Sequence, residues 1–297
     1  MTYSLNSFYK AMGISKQGIH QMLNRRMHGF EVEAYVIKLV GQIRADHPTM
    51  SCRAMYYKLK PPHMGRDKFE RLCSHLGFTS DRIRNPYRTT DSSGVIRFNN
   101  LLMGLKLTHI NQAYSSDITY FELAARFYYI TFVIDCYSRV ILGYSVSNTL
   151  STEQTTLPAL AMAVKARGGK IPIGIIFHSD GGGQYYDKSF LAFTKAHQMR
   201  NSMCELAYEN GKAERINGII KNNYLKHYQI RNFEELTKSV DRSIRLYNSE
   251  KPHKALNYRS PLEFEKQLLL LKQQTEPKMT ESLEANSDFW GFEPHKI

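Results

Sequence analysis

Residues 128–134 read Tyr128-Tyr129-Ile130-Thr131-Phe132-Val133-Ile134. This near-continuous run of aromatic and β-branched side chains predicts a central strand buried on both faces, because a strand with one wet face would alternate instead. Asp135-Cys136-Tyr137-Ser138-Arg139 follows as a turn, and residues 140–146 return as a second strand, so the pair predicts a hairpin. Upstream, Ser116-Asp117-Ile118-Thr119-Tyr120 is a short β-prone stretch. Downstream, Leu157, Leu160, Ala161 and Val164 keep helical phase within residues 151–167, and Gly168-Gly169 ends that helix. A buried strand over 173–177 then closes on His178-Ser179-Asp180, followed by a helix over 187–197 and a short strand near Met199. Strands first, then strand and helix in alternation, predict an α/β fold with a mixed sheet.

Further out, residues 209–228 predict a helix that closes this core, with Ala213, Ile216, Ile220 and Tyr224 on its buried stripe. Glu214, Gly218 and Lys221 recur at i, i+4 and i+7 and share an adjacent stripe. Residues 231–247 give another amphipathic helix, 248–261 are basic and turn-rich, and 262–271 are helical, with the leucines at 268–271 expected to pack. The polar residues 272–297 predict a flexible tail.

The N-terminal third has a different character. Residues 4–26 read as two short helices around Met12-Gly13-Ile14, with Ser15 as the cap of the second. Leu5, Phe8, Tyr9 and Met12, then Ile19, Met22 and Leu23, fall on apolar faces. Lys16, Gln17, His20, Gln21, Asn24, Arg25 and Arg26 stand outside, as donors and acceptors suited to phosphates and base edges. This is a helix-turn-helix pattern, expected over residues 1–29. Residues 30–79 predict a second small helical module. Its first helix is marked by Val32, Tyr35, Val36, Leu39, Val40 and Ile43, and breaks fall at Pro48 and Pro61-Pro62. Residues 80–111 read as a linker, 112–229 as the core, and 230–271 as a helical and basic extension.

Charge points the same way. The 297 residues carry 40 Lys+Arg against 27 Asp+Glu, a formal net charge of +13. Residues 1–100 hold 16 basic and 7 acidic side chains, so a third of the chain carries +9 of that excess. A polyanion, most commonly nucleic acid, is the implied partner. No apolar run approaches the roughly 20 residues that span a bilayer, and residues 1–10 are too polar for a signal peptide. Cys52, Cys73, Cys136 and Cys204 form no Cys-x-x-Cys pair, so neither a disulfide scaffold nor a structural zinc site is expected, and a reducing cytoplasm suits the chain.

Three acids stand out by position. Asp117 lies in a strand, Asp180 follows one and precedes Gly181-Gly182-Gly183, and Glu214 sits on the exposed edge of a helix. Reacting groups of open α/β sheets gather at strand ends. Carboxylates that converge there repel one another, and divalent cations relieve the repulsion. With a basic chain and a helix-turn-helix pattern, that predicts metal-dependent chemistry on DNA.

Five motifs then match in order: Ser116-Asp117-Ile118-Thr119-Tyr120, Asp135-Cys136-Tyr137-Ser138-Arg139, His178-Ser179-Asp180-Gly181-Gly182-Gly183-Gln184-Tyr185, Glu209-Asn210-Gly211-Lys212-Ala213-Glu214-Arg215, and Tyr247-Asn248 through Lys251-Pro252-His253. From about residue 30 to 268 the chain resembles the retroviral-integrase-like Asp-Asp-Glu transposases of bacterial insertion sequences, in the branch whose catalytic protein comes from a second reading frame. The resemblance implies a ribonuclease-H-like core, with Asp117, Asp180 and Glu214 as catalytic and metal-binding triad for two Mg²⁺ or Mn²⁺ ions. It implies cleavage at element ends by water, then attack of a free 3′-hydroxyl on a second strand. Lys221 matches a DNA-facing basic position, and Lys212, Arg215, Lys251 and His253 are the further basic residues of the matched motifs assigned to DNA. Terminal inverted repeats and target DNA, a homo-oligomer on paired ends, an upstream-frame partner protein and a nucleoid-associated cytoplasmic location are implied, with no membrane. The alternative is a DNA-binding regulator descended from such an enzyme. The chain departs from the pattern at Tyr114, where Trp is common, at the glycine run after Asp180, and at Glu209 and Gly211, where Asp and Ala are usual.

Overall fold

The computed structural model describes residues 4–80, 97–204 and 210–275, which fall into two compact units, residues 1–82 and 83–297. In the first unit α1 (Leu5–Ala11) and α2 (Lys16–Asp46) flank Gly13, whose φ of 65° is the left-handed value that a turn this tight requires. Ser15 caps α2 by accepting from the Gly18 N–H at 3.0 Å. The second helix is not short. It runs 31 residues, continuous through Gly29-Phe30, where the sequence reading divided two modules. Its last turns pack with α3 (Cys52–Leu59) and α4 (Arg66–His75) around Val36, Val40, Ile43, Met55 and Phe69. Leu5, Phe8, Met12, Met22 and Leu23, expected as a helix-turn-helix core, are exposed.

The second unit is built on five strands: β1 (Ala113–Leu123), β2 (Arg126–Asp135), β3 (Ile141–Ser147), β4 (Ile176–Ser179) and β5 (Arg200–Met203). Their order is β3-β2-β1-β4-β5, antiparallel from β3 to β1 and parallel from β1 to β5. This mixed sheet, flanked by α5 (Thr156–Ala166), α6 (Lys188–Ala196), α7 (Gly211–Asn223) and α8 (Phe233–Glu250), is the ribonuclease-H-like arrangement. The apolar run at 128–134 has the cause expected of it. Ile130, Phe132 and Ile134 pack against α7 and α8, while Val133 points through the sheet to α5. Gly143 of β3 lets α5 close in, since a Cβ there would lie 2.1 Å from the Ala159 carbonyl oxygen.

Two boundaries move. The strand expected from Ile173 begins at Ile176, with Ile173 itself exposed, because Pro172 has no N–H and Gly174 turns at φ 77°. The last helix, α9, is Pro261–Thr275, and the leucine run does not pack as expected: Leu269, Leu270 and Leu271 are about half exposed. What α9 does bury is Pro261 and Glu265. Residues 276–297 and Glu209 lie outside the described residues.

Candidate active site

The sheet register places the acids. β1 and β4 run parallel, with Ser115 opposite His178 as their last pair. Asp117 and Asp180 each stand two residues beyond that pair, so they share one level and one face where the ladder ends. The face is that of α7, because Asn210, just before the helix, spans to β1. Its Nδ2 donates to the Ser116 carbonyl oxygen at 2.9 Å, and its Oδ1 accepts from the Ser115 hydroxyl. Glu214 then falls in the first turn of α7, exposed.

Asp180 and Glu214 both act on Asp117. Asp117 is pushed up to about 8, first because its carboxyl is desolvated, then by repulsion from Asp180 and from Glu214. Asp180 is raised by desolvation, against which the Gly182 N–H donates to its Oδ1 at 3.1 Å. A Cβ on Gly182 would lie 3.1 Å from that oxygen, tight enough that the carboxylate would have to shift. The glycine run is thus a tight turn that leads into the 3-10 turn Gly183–Tyr185. Among the described residues no three His, Cys, Asp or Glu side chains are drawn together closely enough to hold a metal ion as they stand. The donor set nevertheless fits a hard divalent cation: oxygen ligands only, with repulsion for a cation to relieve.

The sequence reading missed Asn217. Its Nδ2 donates to Asp117 Oδ2 at 2.8 Å, the one side-chain hydrogen bond that opposes the upward shift of Asp117. A signal existed, because Asn217 lies at i+3 on the stripe of Glu214, Gly218 and Lys221. His178 is structural: it is buried and its Nδ1 lies 2.9 Å from the Ser202 hydroxyl. Asp135 caps the hairpin turn through the N–H groups of Tyr137 and Ser138.

The other expected contacts scatter. Lys16, Gln17, Gln21, Arg25 and Arg26 are exposed on α2, in the first unit, with Gln17, Gln21 and Arg25 on one face at steps of four. Lys212 is exposed and donates to the Cys136 carbonyl oxygen at 3.0 Å, while Arg215 is exposed. Lys221 is half-buried and its ammonium is lowered by desolvation and by Lys226. Lys251 and His253 are half-buried, and Arg139 of the β2–β3 turn lies close enough to His253 to act on its ring.

Two family models, both described as integrase core domain, match residues 108–208 and 198–261, together just over half of the chain. An uncharacterized 31 kDa protein of insertion element IS600 from Shigella sonnei is 29% identical over 206 residues, covering 68% of this chain and 75% of its own. The transposase InsF of insertion sequence IS3A from Escherichia coli K12 is 38% identical over 106 residues, which cover 35% of this chain and only 36% of InsF. The catalytic core domain of HTLV-2 integrase, solved in complex with magnesium, aligns at a TM-score of 0.42 and 18% identity over 52% of this chain and 95% of that one. The simian T-cell lymphotropic virus intasome aligns at 0.45 and 16% identity over 72% of this chain and 70% of that one. No helix of the described residues is long and apolar enough to cross a membrane.

Proposed function

Because the chain belongs to the integrase-core family of bacterial insertion-sequence transposases, we propose that it is a polynucleotidyl transferase that cuts DNA at element ends and joins the freed 3′-hydroxyl to target DNA. The observation that supports this is the repulsion that Asp180 and Glu214 exert on Asp117, which adds to desolvation in raising its proton affinity at the end of the β1–β4 ladder. Asp117 and Asp180 are held by the sheet, Glu214 by α7, and Asn217 fixes the orientation of the Asp117 carboxylate. These carboxylates would hold two Mg²⁺ or Mn²⁺ ions, which supply Lewis-acid stabilisation of the attacking and leaving oxygens of an in-line displacement. The exposed face of α2, with Lys16, Gln17, Gln21, Arg25 and Arg26, reads the terminal repeats, while Lys212, Arg215 and Lys221 line the approach to the acids along α7. In this reading residues 112–229 are the catalytic core, the segments 1–29 and 30–79 position DNA, and the protein works as an oligomer on paired ends.

Purified protein with Mg²⁺ or Mn²⁺ and labelled element ends provides the test. Wild type is expected to nick the ends and join them to target, and Asp180→Asn to bind them normally while losing joining by at least about a thousandfold. Undiminished joining by that variant removes the triad assignment, and a wild type that binds without cutting favours the regulator.

A further inference from the structure

Asn248, near the end of α8, is tied twice to the first residue of β3. Its Oδ1 accepts from the Ile141 N–H and its Nδ2 donates to the Ile141 carbonyl oxygen, both at 2.9 Å. Arg139 stands two residues before Ile141, and Lys251 and His253 follow Asn248 by three and five, so this clamp brings three basic side chains to one place. Their nearness shows in the charges. The His253 ring is lowered to about 3 by desolvation, then by Lys251, then by Arg139. Its edge-on contact with the Tyr247 ring, 4.9 Å between centroids, holds it there. Lys251 is lowered to about 8 by desolvation alone.

What is missing is an acceptor. Among the described residues no carboxylate pairs with Arg139, Lys251 or His253, and the buried His253 Nε2 has no hydrogen-bond partner. Two cations, Arg139 and Lys251, gathered around a neutral and unpartnered ring nitrogen without a counter-charge destabilise the free protein and are a ready seat for an anion. Arg139 adds a second cost, since it holds a φ of 66° where glycine is the relaxed choice. From Lys212, which reaches the Cys136 carbonyl in the same turn, positive charge continues along α7 toward Glu214.

We propose that Arg139, Lys251 and His253 form a second phosphate site, which takes a backbone phosphodiester of the DNA beyond the strand being cut. The nature of its ligand rests on the DNA reading above, but the site itself needs no catalysis. The test therefore uses the full chain in EDTA, where loss of cutting cannot interfere. Binding of a fluorescent duplex is measured over a salt series, and thermal unfolding is measured with and without inorganic phosphate. Lys251→Met is expected to unfold no earlier than wild type in phosphate-free buffer, to lose the stabilisation that phosphate gives wild type, and to flatten the slope of log affinity against log salt by about 0.9. Arg139→Gly, which removes a charge and relaxes the backbone, is expected to be at least as stable and to flatten the slope by about the same amount. Earlier unfolding of both variants with an unchanged slope would make the cluster a structural one and overturn the site. Phosphate-dependent stabilisation with no change in the duplex slope would overturn DNA as its ligand. A wild type that binds DNA but never cuts would sink the catalytic reading and leave this one standing.

Discussion

Asp135 and Glu265 are buried in the same unit as Asp117 and Asp180, and the chain answers their charge from within. Asp135 accepts N–H groups from Asn111, Tyr137 and Ser138 at 2.7–2.9 Å and has Arg167 at 3.6 Å. Glu265 takes both arms of the same Arg167, at 2.8 and 2.6 Å, and the Ser138 hydroxyl at 2.5 Å. Asp117 and Asp180 have no ion pair among the described residues; Asp117 has the Asn217 amide and the Ile118 N–H, Asp180 has backbone N–H groups including that of Gly182, and a third acid is nearby. The fold is thus able to neutralise a shielded carboxylate and does so where the role is to tie the β2–β3 turn, the end of α5 and α9 together. Where it leaves acids to repel one another, the compensating charge comes from outside the chain. Arg139 and Lys251, beside the neutral His253 ring, are the same situation with the sign reversed.

The most severe way to break this comparison is Arg167→Ala. Removing the shared cation strands two buried acids, and a loss of about 3–5 kcal/mol is expected in chemical denaturation. A loss below about 1 kcal/mol, no more than an isolated exposed pair contributes at most, would show that Asp135 and Glu265 are not compensated in the sense argued.

The same reasoning gives Asp117→Asn the opposite sign. The carboxyl of Asp117 has a folded-state value of about 8, above its unfolded one. Its ionisation therefore costs nothing below about pH 4 and costs most above pH 8, so metal-free wild type loses stability as pH rises between those limits. Asp117→Asn is expected to flatten that part of the profile and to raise Tm at pH 8 by about 2–6 °C. Mg²⁺ is expected to raise the Tm of wild type at pH 8 but not that of the variant. A variant less stable than wild type at pH 8 without metal would mean that the acids are not in mutual strain.

Much of this unit was legible from residue order. The strand at 128–134 and the hairpin after it follow from local pattern, because a doubly buried strand has no polar alternation to confuse the reading. The first strand was read too short. Ser115, Ser116 and Asp117 are polar because they meet the site and its supports, and so they mask a strand of 11 residues. The sequence reads Asp117 within a strand, Asp180 at a strand end and Glu214 on a helix edge, and these residues fall within β1, just past β4 and in α7. Their hydrogen-bonded supports were not legible: Asn210 to Ser116, Asn217 to Asp117 and Arg167 to Glu265 join residues about a hundred apart, and no local periodicity records such a pair. The leucines at 269–271 show the converse failure, because apolar character states a preference for burial without naming a neighbour.

The mildest variant separates stability from function on α7. Gly218 lies on the stripe of Glu214 and Lys221, and a Cβ added there would meet nothing nearer than Asn222 Nδ2 at 3.9 Å. Packing within the described residues therefore does not require glycine, although glycine inside a helix costs about 0.5–1 kcal/mol relative to alanine. Gly218→Ala is expected to raise stability by about that amount in denaturant titration. If a DNA backbone comes up against α7 between Glu214 and Lys221, the added methyl group stands in its way, and strand joining is expected to fall several-fold while binding of free ends changes little. A variant more stable than wild type and equally active in joining would leave the acids in place but move the DNA off this face of the helix.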